Sequence, residues 1–94
     1  MNTTGNEGPI ELFAENTGFM WDIAPEFNAL LVFGEHRYYG NSKPFGADTF
    51  KDPKSGKLKY LSSEQALADY ARLLPYVQSM YEGATSSPVI SFGG

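Results

Sequence analysis

Three short stretches of this 94-residue sequence carry residue types that could do chemistry. The first, "EHRYYG" (35–40), sets Glu35, His36 and Arg37 side by side and follows them with Tyr38 and Tyr39. A histidine side chain titrates near neutral pH and serves as a general base, and an arginine clamps anions. The second, "GNEG" (5–8), places Gly5 and Gly8 around Asn6 and Glu7. Glycines let main-chain N–H groups of Glu7 or Gly8 come close to a developing oxyanion; the alternative for the stretch is a plain glycine turn. The third, "VISFGG" (89–94), is a short apolar run ending in Gly93 and Gly94. A strand followed by Gly-x-Ser-x-Gly makes a nucleophile elbow, a strained turn whose glycines let a serine project. Gly93 and Gly94 fit the first two positions, so a nucleophile is expected immediately after Gly94. Taken alone, Gly-Gly after a strand is also a common ending.

Chain order constrains the histidine. Around such an elbow the acid and the imidazole follow the serine in sequence, whereas His36 precedes it. His36 is therefore expected in a hydrogen-bonded structural role, and Arg37 as a brace paired with Glu35 or a later acid. Tyr38 and Tyr39 are expected to pack, with pocket lining as their alternative.

Other chemistries fail on composition or spacing. The absence of cysteine removes disulfides and thiolates, and one histidine cannot build a zinc site. A net charge of −4 argues against a nucleic-acid partner. Lys51, Lys54, Lys57 and Lys59 cluster, but Asp48 and Asp52 lie among them, as in a solvated loop. "SGKL" resembles the end of a phosphate loop, yet Lys51 replaces its first glycine and Leu58 its magnesium-binding hydroxyl. No dinucleotide glycine pattern occurs, and Asp22 and Glu26 form an i, i+4 pair suited to solvent. No cofactor or metal is expected. No apolar run approaches a membrane span, and the first residues show no basic-then-apolar leader pattern.

The elements that must position these stretches follow from periodicity. Ile10, Leu12 and Phe13 suggest a short extended piece. Met20, Ile23/Ala24, Phe27 and Leu30/Leu31 make one apolar helical face, with Thr17 as its cap and Pro25 bending it or moving its start to Asp22. "ALLVF" (29–33) reads as a buried strand. A loose connection runs from about 38 to 61, long enough to be functional or a decorated insertion. The strongest helix is "SSEQALADYARLLPYVQSMYEG", with Ser62 and Gln65 as a capping box. Its stripe is Ala66/Leu67, Tyr70, Leu73/Leu74, Val77 and Met80/Tyr81; Pro75 should kink it and Gly83 stop it. "VISF" (89–92) is a second strand. Strands alternating with helices imply an α/β fold with parallel strands and crossover helices. The ligand end of such a sheet is its carboxyl edge, and all three stretches fall there.

On "NTGFMWDIAPEFNALLVFGEHRYYGNSKPFG", "LSSEQALADYARLL" and "SPVISFGG", the sequence resembles the lysosomal Pro-X carboxypeptidase and dipeptidyl peptidase II family of serine exopeptidases. The resemblance runs from Gly5 to Gly94 and is weakest over 47–59. It implies an α/β-hydrolase core and a Ser-Asp-His mechanism acting after proline, or alanine, near chain ends, in lysosomes, vacuoles or outside the cell. It implies peptide substrates with proline near a chain end, and no cofactor. "GNEG" would form the oxyanion side, Gly93 and Gly94 the approach to the nucleophile, and Glu35 to Tyr39 the support or pocket behind them. The serine, the acid, the histidine and a helical specificity domain lie downstream in that family. Residues 1–94 are thus expected to be an incomplete N-terminal part of the core, cut before the elbow and inactive alone. The strands before "GNEG" are expected to be missing, with Met1 to Thr4 in their place. The competing expectation is a non-catalytic short isoform or pseudogene remnant that works only through protein contacts.

Overall fold

The computed structural model describes residues 2–4 and 7–93. Three short strands, β1 (Asn2–Thr4), β2 (Val32–Gly34) and β3 (Ser91–Phe92), form a parallel sheet in the order β2-β1-β3. Asn2 lies opposite both Val32 and Ser91, and Thr3 opposite both Phe33 and Phe92. Parallel neighbours cannot be joined by a hairpin, so each connection must cross over. The first does so through α1 (Ile10–Asn16) and α2 (Gly18–Ile23), the second through α3 (Ser63–Ser79). The α/β arrangement expected from the sequence is present. The expectation that Met1 to Thr4 replace lost strands is corrected, because Asn2–Thr4 is the central strand. Three polar residues give no alternating apolar signal by which a strand could be read.

A second correction concerns residues 10–13, which are helical rather than extended. The N–H of Ile10 is taken by the distant carboxylate of Glu35, a contact no local pattern announces. At the other end of α1, three side chains donate to carbonyls of its last turns. Asn16 Nδ2 donates to Leu12 O at 2.7 Å, Thr17 Oγ1 donates to Phe13 O, and Trp21 Nε1 donates to Ala14 O at 2.7 Å. Thr17 therefore closes α1 backwards instead of capping α2. Pro25 ends α2 at Ile23 and sits in a 3-10 turn, Ala24–Phe27, closed by left-handed Asn28 at φ 48°. The strand read at 29–33 begins only at Val32.

The two faces of the sheet can be assigned from register. Phe33 and Phe92 both lie opposite Thr3, so they share a face. Trp21 stacks on Phe33 at 5.6 Å and Phe19 meets Phe92 edge-on at 5.8 Å, so α2 covers that face. Gly34 follows Phe33 and turns the opposite way. A Cβ there would come within 2.9 Å of Tyr70 Cε1 and 3.2 Å of Leu73 Cδ2. The close seat of α3 on β2 thus requires glycine at 34. Tyr70 and Ala66 are buried at this contact, whereas Leu67, Met80 and Tyr81 of the expected stripe are exposed.

Ser62 Oγ accepts the N–H of Gln65 at 3.3 Å, which is half of the expected capping box. The Gln65 side chain goes to Arg37 instead. The helix runs through Pro75 and ends at Ser79 on a right-handed Met80; Gly83, left-handed at φ 77°, stands beyond that end and opens the 3-10 turn Ala84–Ser86 instead of stopping the helix. The long connection after β2 is held by Tyr38, only 1% exposed. Its hydroxyl donates to Lys57 O at 2.6 Å and accepts from Tyr60 N at 3.2 Å. Of the two alternatives for Tyr38, packing is the one realised. The Cα radius of gyration is 15.0 Å, larger than the about 13 Å of a compact 100-residue domain.

Candidate functional site

Because the strands are parallel, the segments that leave β1, β2 and β3 emerge along one edge. Glu7 and Gly8 follow the middle strand, Glu35 to Tyr39 the strand on one side, and Gly93 the strand on the other. The three stretches singled out in the sequence are therefore neighbours at the carboxyl edge. Gly5, Asn6 and Gly94 lie outside the described residues.

Glu35 is the first residue after β2, and its carboxylate is the polar centre of this edge. Oε2 accepts the Ile10 N–H at 3.1 Å; Oε1 accepts the Asn41 N–H at 3.0 Å and the Ser42 hydroxyl at 2.7 Å. Burial pushes the carboxyl up, but the donors from Ser42, Ile10 and Asn41 outweigh it and leave it below the ordinary carboxylate range. The turn that delivers Asn41 and Ser42 depends on Gly40, at φ 52°, where a Cβ would overlap the Glu35 carboxylate.

His36 donates Nδ1–H to the Arg37 carbonyl at 2.6 Å and meets the edge of Tyr39 at 5.1 Å. The hydroxyls of Ser42, Ser55, Ser63, Ser79, Ser86 and Ser87 go to carboxylates or main-chain carbonyls, not to this imidazole. Arg37 turns away from Glu35 and toward α3. Nε and Nη2 grip both oxygens of Asp69 at 2.6 Å each, and Nη1 reaches Gln65 Oε1 at 3.2 Å and Tyr60 O at 3.4 Å. The later acid, not Glu35, is its partner. That hydrogen bond, opposed by burial, holds the Asp69 carboxyl below its usual range. The Tyr39 hydroxyl is hydrogen-bonded to the Glu7 carboxylate; burial first, then that acid, push its pKa up. Gly8 is half-buried, with the Phe13 ring 3.4 Å from where a Cβ would stand. Gly93 is exposed beyond β3.

Sequence reasoning missed Asp69, Gln65, Asn41 and Ser42. A signal existed for the first two. Gln65 and Asp69 stand at i, i+4 on the predicted helix, so they share a face and can grip one guanidinium together. Among the described residues no group of three or more His, Asp or Glu side chains could hold a metal ion, and no helix is long and apolar enough to cross a membrane.

At the opposite, amino edge lies a groove of about 740 Å³. Its walls come from the ends of the helical segments (Ile23, Phe27, Val77) and from residues entering β2 and β3 (Leu30, Val89, Ile90). Phe27 is 71% exposed there and Ile90 55%.

A parallel sheet, helices on both faces and polar loops at the carboxyl edge define an α/β protein of the kind that binds ligands at that edge. The profile of the serine carboxypeptidase S28 family matches residues 2–94, and the chain belongs to this family. It is 58% identical over 91 residues to lysosomal Pro-X carboxypeptidase of Mus musculus, covering 97% of this chain and 18% of that protein. Identity is 54% over 92 residues to prolyl carboxy peptidase like protein 5 of Caenorhabditis elegans, covering 97% of this chain and 18% of the relative. It is 37% over 90 residues to the thymus-specific serine protease of Mus musculus, covering 96% and 17%. The chain thus spans about 18% of the length of the relatives it matches first.

Proposed function

We propose that residues 1–94 form the N-terminal part of an α/β-hydrolase core in a serine exopeptidase that cleaves next to proline near a chain end. The observation that carries this reading is the convergence of Glu7–Gly8, Glu35–Tyr39 and Gly93 on the carboxyl edge of three parallel strands. In such a core a serine presented after Gly93 and Gly94 attacks the peptide carbonyl, and a histidine from elsewhere in the protein takes its proton. The oxyanion forms beside the middle strand, where the N–H groups of Glu7 or Gly8 can meet it. Glu35 to Tyr39 stand behind that loop and do not touch the reacting atoms. The open groove at the amino edge supports the domain assignment, since apolar surface of this kind is ordinarily covered by further core. The relatives' names carry the lysosome and the Pro-X bond, and both are proposed for the protein that contains these residues.

The test is hydrolysis by the full-length protein. A peptide with a blocked amino end and a carboxyl-terminal Pro-Phe should lose its last residue, and a fluorophosphonate probe should label one serine. The 94-residue chain alone should not be labelled. A full-length protein that is folded yet neither labelled nor able to cleave at proline would overturn the reading.

A further inference from the structure

Two side chains that leave β2 reach across to the segment that leaves β1. Glu35 takes the first N–H of α1, from Ile10, 25 residues away in sequence. A helix start is ordinarily capped by a side chain one to three residues before it; Pro9, at that position here, offers none. The cap comes from another strand, so it ties the two segments together as well as starting the helix. Tyr39, four residues beyond Glu35, closes the other end through its hydroxyl on the Glu7 carboxylate. The Glu7-Gly8-Pro9 turn is thus gripped at its entry and at its exit by one short segment.

That segment is itself fixed around the carboxylate. Asn41 N–H and the Ser42 hydroxyl hold Oε1 at 3.0 and 2.7 Å, and Gly40 leaves no room for a Cβ beside Oε2. A carboxylate with three donors and a wall of main chain cannot swing away without losing all of them. Arg37, between the two gripping residues, is anchored separately on α3 through Asp69. Its hydrogen bonds go to Asp69, Gln65 and Tyr60 and none goes to the Glu7 turn, so they hold α3 apart from the two grips.

We propose that Glu35 and Tyr39 are positioning residues that aim the main-chain amides of Glu7 and Gly8 at the oxyanion. This rests on the reading of the carboxyl edge given above. Oxyanion donors are effective only when held in place before reaction, and a displacement of about 1 Å at such a site costs on the order of 100-fold in rate. The positioning pair touches neither the serine nor the substrate, so its loss should appear in kcat and not in KM.

The experiment uses the full-length protein with Glu35→Gln, Tyr39→Phe and, as a control, Asp69→Asn. Tyr39→Phe keeps the ring and removes only the grip on Glu7, so it remains informative if Glu35→Gln folds poorly. Tyr39→Phe should lower kcat about 10-fold and Glu35→Gln about 100-fold, with KM within about 2-fold in both. The end-point stoichiometry of fluorophosphonate labelling should stay at one serine per molecule. Asp69→Asn should lower the melting temperature and leave kcat within about 2-fold, because it loosens α3 and not the Glu7 turn. An active wild type whose Tyr39→Phe and Glu35→Gln variants keep full kcat, or lose activity only through KM, overturns this proposal and leaves the peptidase reading standing. A folded wild type that is neither labelled nor active overturns both.

Discussion

The two edges of the sheet solve the problem of stability in opposite ways. At the carboxyl edge the polar side chains find their partners inside this chain: Glu35 collects three donors, Arg37 reaches Asp69, Gln65 and Tyr60, and the Tyr38 hydroxyl serves two main-chain groups. At the amino edge the side chains are apolar and open, with Phe19, Phe27, Leu30, Val89 and Ile90 between 43% and 71% exposed. Hydrogen bonds are short and directional, so one eight-residue segment can complete a network. Burial needs area, and three strands totalling a few residues each cannot supply it. The chain fixes its own polar edge, while its apolar edge is the kind of surface further core or a partner would cover.

The contrast can be broken most severely at Gly40. Gly40→Ala adds a strained left-handed residue and an overlap with the Glu35 carboxylate, so chemical denaturation should show a loss of about 3 kcal/mol or more. Gly46 shares the positive φ, at 59°, but faces open space; Gly46→Ala should cost only about 1 kcal/mol. Equal losses at the two positions would mean that the carboxylate is not locked. Tyr38→Phe comes next. It leaves the half-buried Lys57 carbonyl and the Tyr60 N–H without their hydroxyl, and thermal melts should report a loss of about 1 kcal/mol.

Acid provides a graded version of the same test. The Glu35 and Asp69 carboxyls both lie below their ordinary values in the folded chain. Their contribution is therefore complete above the unfolded-state pKa, about 4, and is lost as pH falls through the lower folded-state values. Glu35→Gln should flatten that acid slope, and a slope unchanged by the substitution would contradict the assigned contacts. The smallest effect belongs to the amino edge. Phe27→Ser should change the stability of the isolated chain by no more than about 0.5 kcal/mol. It should still reduce the emission of a hydrophobic dye bound to the groove.

What the sequence made legible follows the same division. The helix over 63–79, the apolar character of β2 and β3, and the placement of three loops on one edge all come from periodicity, caps and glycines. β1 was hidden because Asn2, Thr3 and Thr4 have no apolar pattern and become a strand only by pairing on both sides. α1 was hidden because its first N–H is satisfied by a residue 25 positions away. The partner of Arg37 was bounded to Glu35 or a later acid, and spacing on α3 could have narrowed it to Asp69. Pairing across the fold decided what local preference left open.

The central claim is that the segment leaving the middle strand faces the reacting carbonyl. The most direct measurement is the crystal structure of the full-length protein with a fluorophosphonate bound to its serine. The phosphonyl oxygen should lie about 2.7–3.1 Å from the main-chain nitrogen of Glu7 or Gly8, with Glu35 still on Ile10. An oxygen held by donors from other segments, with the Glu7–Gly8 turn facing away, would contradict it.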